Sequence, residues 1–184
     1  MGCNQNLIYC GMDPSWSSFG IVLLKLDKGI SYSDLETKVI SLPKHASDGR
    51  ELQYGERLSI LIRELYDFFG LRKLNIEKVY IEGFAFGKSY RREMCGMIIG
   101  ATFAFFLMLY GSDFMQSRVE LLPPPTVKKL FTGSGRASKE DVVLTAHRVY
   151  GVNLEWKGKQ VQDLYDAFAT LVAGLKKDKP EIFV

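Results

Sequence analysis

The sequence has few cysteines and histidines, which excludes several kinds of site. Its three cysteines, Cys3, Cys10 and Cys95, are scattered along 184 residues. An odd, widely spaced set gives neither a disulfide framework nor the spacing of a structural zinc site. The two histidines, His45 and His147, are interpreted as incidental. Unpaired cysteines fit a reducing intracellular compartment, either the cytoplasm or a host cell if the protein is viral.

The sequence also lacks a strong net charge, an internal repeat, a low-complexity segment and an internal domain boundary. Its N-terminus lacks the basic start and apolar core of a signal peptide. The net charge is only +3, so a surface that binds nucleic acid must come from local clustering of basic residues. The length predicts a single domain over 1–184 with a substantial core, and residues 176–184 are expected to form a flexible tail.

One long uncharged run, from Met94 to Tyr110, could be mistaken for a membrane span. It is at the short limit for crossing a bilayer and contains several small residues. We predict a helix over 89–110 that is buried in the protein, and no membrane association. Gly96 and Gly100 would allow another helix to approach closely, although this spacing is weak evidence outside a membrane.

The order of the remaining segments predicts an α/β fold. Three apolar runs precede a long amphipathic helix over 48–69, for which Asp48 is the expected N-cap and Glu51 completes a capping box. Two further strands, near 77–83 and 118–122, alternate with helices. We expect a mixed sheet with helices on both faces, whose first and fourth strands are central neighbours. The other expected segments are helices over 126–131, 138–150 and 161–175, and a polar loop over 153–160.

Four carboxylates stand where such a sheet would bring them together. Asp13 and Glu82 end the first and fourth strands, at the edge where α/β proteins usually build their sites. Asp163 and Asp166 share one face at the start of the last helix, because residues three apart are neighbours on a helix. Taken alone, that pair could be a helix terminus or a cation site. Four converging carboxylates would repel one another without cations, whereas two Mg²⁺ ions would make them a site for phosphoryl displacement.

Two groups of basic residues could contact a nucleic acid. The first follows Glu82 and mixes cations with aromatic rings, a combination that suits phosphate contact and base stacking; its members are Phe84, Phe86, Lys88, Tyr90, Arg91 and Arg92. The second surrounds a glycine-containing turn and comprises Lys128, Lys129, Arg136 and Lys139. The alternatives are a solvated helix start with core aromatics for the first group and an ordinary polar loop for the second.

Several segments, in this order, resemble the RuvC family of Holliday-junction resolvases, which belong to the retroviral-integrase/RNase H-like superfamily. The likeness extends from about residue 7 to 175 and admits a viral, phage or organellar branch. The segments that carry it are Gly11-Met12-Asp13-Pro14-Ser15, Tyr80-Ile81-Glu82, Val127-Lys128 with Thr132-Gly133-Ser134-Gly135 and Ser138-Lys139, and Asp163-Leu164-Tyr165-Asp166-Ala167.

The resemblance implies an RNase H-like five-stranded sheet, with three antiparallel strands followed by two parallel ones. It implies a homodimer, which we place through the 89–110 helix, and cleavage of four-way junctions that leaves 5′-phosphate and 3′-hydroxyl ends. Two Mg²⁺ or Mn²⁺ ions are expected in each active site. By position, the implied metal ligands and catalytic residues are Asp13, Glu82, Asp163 and Asp166, and the implied DNA contacts are Lys128 and Lys139. Either Phe84 or Phe86 matches the family's stacking aromatic.

Some features depart from the family and leave the substrate open. They are Pro123-Pro124-Pro125, Trp156 and Tyr165. Replication forks, flaps or RNA–DNA hybrids are therefore alternative substrates for a nuclease of this fold. An actin-like ATPase would need two subdomains, for which this chain is too short. A DNA-binding protein that does not cleave is disfavoured because all four carboxylates are present.

Overall fold

The computed structural model describes residues 7–26, 31–72, 74–83 and 89–183, with side chains throughout these ranges except at 89–92, 156, 159 and 160. Short 3₁₀ turns lie at Tyr32–Asp34 and Pro180–Phe183, and a π-helical turn follows the first helix at Tyr66–Gly70. The strands and helices, in chain order, are β1 (Leu7–Pro14), β2 (Ser18–Leu26), β3 (Glu36–Ser41), α1 (Tyr54–Leu65), β4 (Ile76–Glu82), α2 (Ser89–Tyr110), α3 (Ser112–Arg118), β5 (Val119–Leu122), α4 (Pro124–Thr132), α5 (Lys139–Tyr150), β6 (Glu155–Trp156), β7 (Lys159–Gln160) and α6 (Gln162–Asp178).

The five long strands form one mixed sheet in the order β3-β2-β1-β4-β5. Strands β1, β2 and β3 pair as an antiparallel meander, whereas β4 and β5 add in parallel. Met12 in β1 is level with Ile81 in β4, and Asp13 is opposite Gly20 in β2. The predicted sheet is confirmed, including the central pairing of its first and fourth strands.

Helices cover both faces of this sheet, as predicted. Side chains alternate across a strand, so Tyr9 of β1 joins one hydrophobic cluster while Cys10 and Met12 join the other. The first cluster lies under α4, α5 and α6, and the second lies under α1, α2 and α3. The sheet is therefore the middle layer of three, and only its edges are open to ligands.

Helix α6 lies in very close contact with the centre of the sheet. A Cβ atom added to Gly11 would lie 2.2 Å from the carbonyl oxygen of Ala167, and one added to Gly20 would lie 2.2 Å from that of Asp163. Such distances leave no room for a side chain in place of Gly11 on β1 or Gly20 on β2. Glycine at these two positions therefore fixes where α6 crosses β1 and β2, with its first turn over β2.

Helix α1 begins later than the sequence predicted. Its N-cap is Gln53, which forms a capping box with Glu56. Asp48 instead accepts a hydrogen bond from the Arg50 amide at 2.9 Å in a tight turn, and Glu51 pairs with His45 in an antiparallel bridge. The predicted cap at Asp48 and box at Glu51 were wrong because a local hairpin already uses these backbone groups.

Three further segments differ from the sequence-based expectation. The helix α3 was not predicted, and the expected polar loop over 153–160 contains the hairpin β6–β7. The three prolines end β5 and also begin α4, since proline needs no N–H donor in a first helical turn.

Residues 176–178, which we assigned to a flexible tail, continue α6. Lys176 Nζ there donates to the Leu130 carbonyl at 3.0 Å, and the Tyr80 hydroxyl donates to Asp178 at 2.8 Å.

Helix α2 has the predicted bounds, but only one of its faces is buried. Ile98, Phe105 and Phe106 point into the core. The opposite side is open to solvent, and Met108 is 86% exposed. Residues 93–110 are long and apolar enough to cross a membrane by length and composition alone, a test that core helices of soluble proteins also pass. The prediction of a helix buried in the protein therefore holds for one face only, since 33% of residues 93–110 are buried.

Candidate active site

Two carboxylates meet at the edge of the sheet where β1 and β4 end. Asp13 is the penultimate residue of β1 and Glu82 is the last residue of β4. These strands are parallel neighbours, so their carboxyl ends reach the same edge. The two side chains are near enough for each to affect the pKa of the other.

The first turns of α6 bring the other two carboxylates to this edge. Asp163 lies in the first turn, where the helix dipole favours an anion. The N-cap is Val161, which has no side-chain oxygen, so neither aspartate caps the helix. Asp166 lies one turn further on, where its carboxylate accepts a hydrogen bond from Gln162 Nε2 at 3.0 Å.

The electrostatics show that the four groups act on one another. Burial raises the pKa of Asp13 well above its usual range, and the charges of Glu82, Asp166 and Asp163 raise it further. Burial, followed by repulsion from Asp166, raises the pKa of Glu82 to about 7. Burial also raises the pKa of Asp166, against the opposing effects of Gln162 and Lys139. The result is a concentration of negative charge that protons partly neutralise.

Two lysines from the other side of the site partly offset this charge. Lys139 Nζ lies 3.7 Å from Asp166 Oδ2, with the lysine side chain 65% exposed and the carboxylate 16% exposed. A capping box between Ser138 and Asp141 fixes the start of α5, on which Lys139 is the first residue. Lys128 Nζ donates to the Ala137 carbonyl at 2.6 Å, and its charge lowers the pKa of both Glu82 and Asp166. The predicted DNA-contacting lysines thus lie beside the carboxylates.

The donor chemistry of this site fits a hard divalent cation, because buried anionic oxygens are the ligands that Mg²⁺ and Mn²⁺ prefer. Over the described part of the chain, however, no three His, Cys, Asp or Glu side chains are arranged to hold a metal ion. One contact accounts for part of the difference, because Asp166 is directed to Gln162 and Lys139.

The chain is similar to solved structures of Holliday junction resolvases. The chain is similar to RuvC of Thermus thermophilus, with 18% identity over 90% of this chain and 92% of that one and a TM-score of 0.61. It is also similar to T. thermophilus RuvC in complex with a Holliday junction substrate, with 17% identity over 95% of this chain and 96% of that one and a TM-score of 0.68. This chain has the RuvC fold. The yeast mitochondrial Holliday junction resolvase Ydc2 is similar as well, with 12% identity over 95% of this chain and 81% of that one and a TM-score of 0.57. No family model and no curated protein sequence matches the chain.

The resemblance to RuvC that the sequence predicted is therefore confirmed at the level of the fold. The likeness covers nearly the whole length of both proteins, so α4, α5 and α6 belong to the shared fold. The four carboxylates of this RuvC fold come from the strands and helix that the sequence assigned to them. Their roles as metal ligands stay a prediction.

Only part of the first predicted DNA-binding group lies within the described residues. Phe84, Phe86 and Lys88 lie outside the described residues. Arg91 and Arg92 belong to the first turn of α2, but their side chains are not described. Of this segment, the structure shows only that Gly83, which follows Glu82, donates its amide to the Leu122 carbonyl at 2.8 Å.

Sequence reasoning missed several residues that support the RuvC-like site. Gln162 orients Asp166, and its position four residues earlier on one helix was the available signal. Gly20 admits the first turn of α6, and a glycine inside an apolar strand often marks such a close approach. Tyr165, noted only as a departure from the family, accepts a hydrogen bond from the Leu154 amide at 3.0 Å and contacts His147 Nε2 at 2.9 Å. His147 therefore helps to join α5 to α6, a contact that the sequence did not predict.

Proposed function

We propose that this protein is a metal-dependent endonuclease that resolves Holliday junctions. The observation that carries the proposal is the meeting of Asp13, Glu82, Asp163 and Asp166 at one edge of a RuvC-like sheet. Burial raises the pKa values of Asp13, Glu82 and Asp166, and repulsion from neighbouring carboxylates raises them further; a cation would relieve that repulsion. A structural cluster of carboxylates with no cationic ligand would be unfavourable at this density.

The four carboxylates would hold the metal, with two ions of Mg²⁺ or Mn²⁺ as the number that suits in-line displacement at a phosphate. When bound, divalent cations supply Lewis-acid stabilisation and an activated water. Asp13 and Glu82 would bind the cation as carboxylates, and Asp166 would do so in place of its contact with Lys139. Gln162 would keep Asp166 oriented. The products would carry 5′-phosphate and 3′-hydroxyl ends.

Lys128 and Lys139 would bind the phosphates next to the bond that is cut. Both lie beside the carboxylates, and a DNA phosphate offers Lys139 a partner that can replace Asp166. A RuvC structure with 96% of its length covered by this chain was solved with a Holliday junction substrate, which favours a four-way junction over other branched DNA. Forks, flaps and RNA–DNA hybrids are the competing substrates.

The deciding experiment is nicking of a synthetic four-way junction in Mg²⁺, with the nicks mapped and compared with those on forks, flaps and hybrids. Asp13→Asn and Asp166→Asn should each lower the nicking rate by more than the roughly 10–100-fold that loss of an outer-shell partner costs at a metal site. Binding of the junction should be largely retained. Asp113→Asn, on the exposed helix α3, is the matched control. Full activity of the Asp166 variant, or no cleavage of branched DNA by the natural protein, would overturn the proposal.

We also infer a homodimer through the outward face of α2. This face is apolar and includes small residues: nothing lies within 4 Å of a Cβ added to Gly96 or Gly100. Such residues let two helices approach closely. Two copies would give two nuclease centres, which suits paired nicks on opposed strands. The exposed residues that form this face are Gly96, Met97, Gly100, Ala104, Leu107 and Met108.

Met108→Glu tests this interface, because a charge at a buried dimer contact should prevent association. Light scattering should give a dimer for the natural protein and a monomer for the variant, and the variant should make single rather than paired nicks. Leu71→Glu adds the same charge at another exposed apolar position and should remain dimeric. A natural protein that is monomeric when bound to a junction would exclude the dimer.

A further inference from the structure

A cleft of about 550 Å³ lies on the side of the sheet that α1 and α2 cover, and the proposed mechanism does not use it. It begins at Ser15, two residues after Asp13, and extends between the β1–β2 loop, α1 and α2. Its size is that of a typical small-molecule pocket. Its lining is mainly apolar or aromatic, and the lining residues that matter here are Trp16, Lys44, Tyr54, Arg57, Met94 and Cys95.

The aromatic part of this cleft is held rigidly by Arg57. This arginine is only 6% exposed, and its Nη2 donates to the carbonyl oxygens of Trp16 at 2.5 Å and Leu42 at 2.7 Å. Its guanidinium carbon also lies 4.3 Å from the centre of the Trp16 ring. Tyr54 packs edge-on against Trp16, with the ring centroids 5.3 Å apart. Burying a guanidinium is costly unless it is paired, and here the pairing fixes the loop that carries Trp16.

The cleft lies on the opposite flank of the site from the two lysines. Trp16 packs against the cluster under α1 and α2, whereas Lys128 and Lys139 extend from α4 and α5 on the other face of the sheet. A DNA strand whose phosphate reaches Asp13 from the lysine side would continue toward Trp16. At the rim, Lys44 lies 3.5 Å from Glu51 in an exposed ion pair, and such a pair costs little to exchange for a phosphate contact.

From these observations we infer that the cleft receives one nucleobase of the cleaved strand, unstacked next to the bond that is cut. A base has the flat apolar faces that Trp16 and Tyr54 can contact, and its backbone phosphate would meet Lys44. Stacking on an aromatic side chain is sequence-tolerant, so this contact positions the strand rather than selecting a sequence. The inference rests on the proposed nuclease function and adds a positioning site for its substrate.

The test is an abasic scan of the strand around the mapped nick, measured as single-turnover nicking in Mg²⁺. With the natural protein, an abasic nucleotide at one position should slow nicking by roughly 5- to 150-fold, the loss that matches one stacked base. Trp16→Ala should cause a similar loss on the intact junction and no additional loss on that abasic junction. Trp16→Phe should keep most of the rate. Tyr66→Ala removes an exposed aromatic ring outside the cleft and should behave like the natural protein.

The outcomes separate this inference from the proposed function. The cleft does not bind a base if the natural protein cuts junctions and no abasic position lowers its nicking rate. The same conclusion follows if Trp16→Ala and the abasic nucleotide each lower the rate and their effects multiply when combined. The scan with the natural protein decides this even if Trp16→Ala fails to fold. If the natural protein cuts no branched DNA at all, the nuclease proposal fails and the base site fails with it.

Discussion

Replacing Glu82 with glutamine should make the metal-free protein more stable while abolishing cleavage. Burial and the charge of Asp166 raise the pKa of Glu82 from 4.5 to about 7. At about 1.4 kcal/mol per pH unit, this corresponds to about 3–4 kcal/mol of unfavourable free energy for the ionised form. Glutamine is uncharged and of the same shape, so the Glu82→Gln protein avoids that cost.

The pH dependence of the unfolding free energy is the most specific test of this prediction. A carboxyl with a raised pKa in the folded state contributes stability below its unfolded pKa and loses it as the pH rises through the folded value. The natural protein should therefore lose stability between about pH 4.5, where Glu82 ionises in the unfolded chain, and about pH 7, where it ionises in the folded protein. The gain from Glu82→Gln should be about 3–4 kcal/mol near pH 8 and below about 1 kcal/mol near pH 5.

Thermal unfolding in the presence of a chelator measures this difference. For a chain of this length, the expected gain near pH 8 corresponds to an increase in Tm of roughly 6–16 °C. Glu155→Gln removes the same charge from the exposed strand β6 and should change the stability by less than about 0.5 kcal/mol at either pH. An equal gain at both pH values, or a loss near pH 8, would refute the electrostatic reasoning. In Mg²⁺, the Glu82 variant should fail to nick a junction.

Three other perturbations test the same site. Mg²⁺ should raise the Tm more near pH 8 than near pH 5, because protons compete with the cation for the carboxylates; a pH-independent shift in thermal scans would contradict this. Gly20→Ala should cost about 1–3 kcal/mol in urea unfolding and slow nicking, since it displaces the first turn of α6, whereas Gly55→Ala has open space around it and should not destabilise. Lys139→Gln should raise the pKa of Asp166 further, which moves the acid limb of the nicking profile to higher pH. It should also lower the salt slope of junction binding by about 1, while Lys25→Gln should do neither.

The sequence was sufficient to predict the sheet and its helices because their periodic apolar patterns are local. Helix α2 has the predicted bounds, 89–110, since an uncharged run of that length has few alternatives. The convergence of Asp13 and Glu82 also followed from local signals, because each ends a strand and parallel strands end at one edge. The start of α1 did not follow, since Gln53 is a less usual cap than Asp48 and the hairpin at 45–51 depends on backbone bonds.

The missed parts of the site depend on contacts between distant segments. The need for glycine at position 20 becomes evident only when α6 lies across β2. The role of Arg57 depends on two carbonyl oxygens and a ring from other segments. The exposure of one face of α2 could not be read from a run that is apolar on all sides. Each of these is a property of packing between elements rather than of any one element.

The close approach of α6 to β1 and β2 also sets the order in which activity can arise during synthesis. Asp13 is made early, whereas Asp163 and Asp166 follow about 150 residues later, on the last long helix. Contacts of such long sequence separation form late, because the loop between them must first be closed. A nascent chain lacking α6 has only two of the four carboxylates and an uncovered sheet face. The complete set of carboxylates therefore assembles only after α6 has left the ribosome.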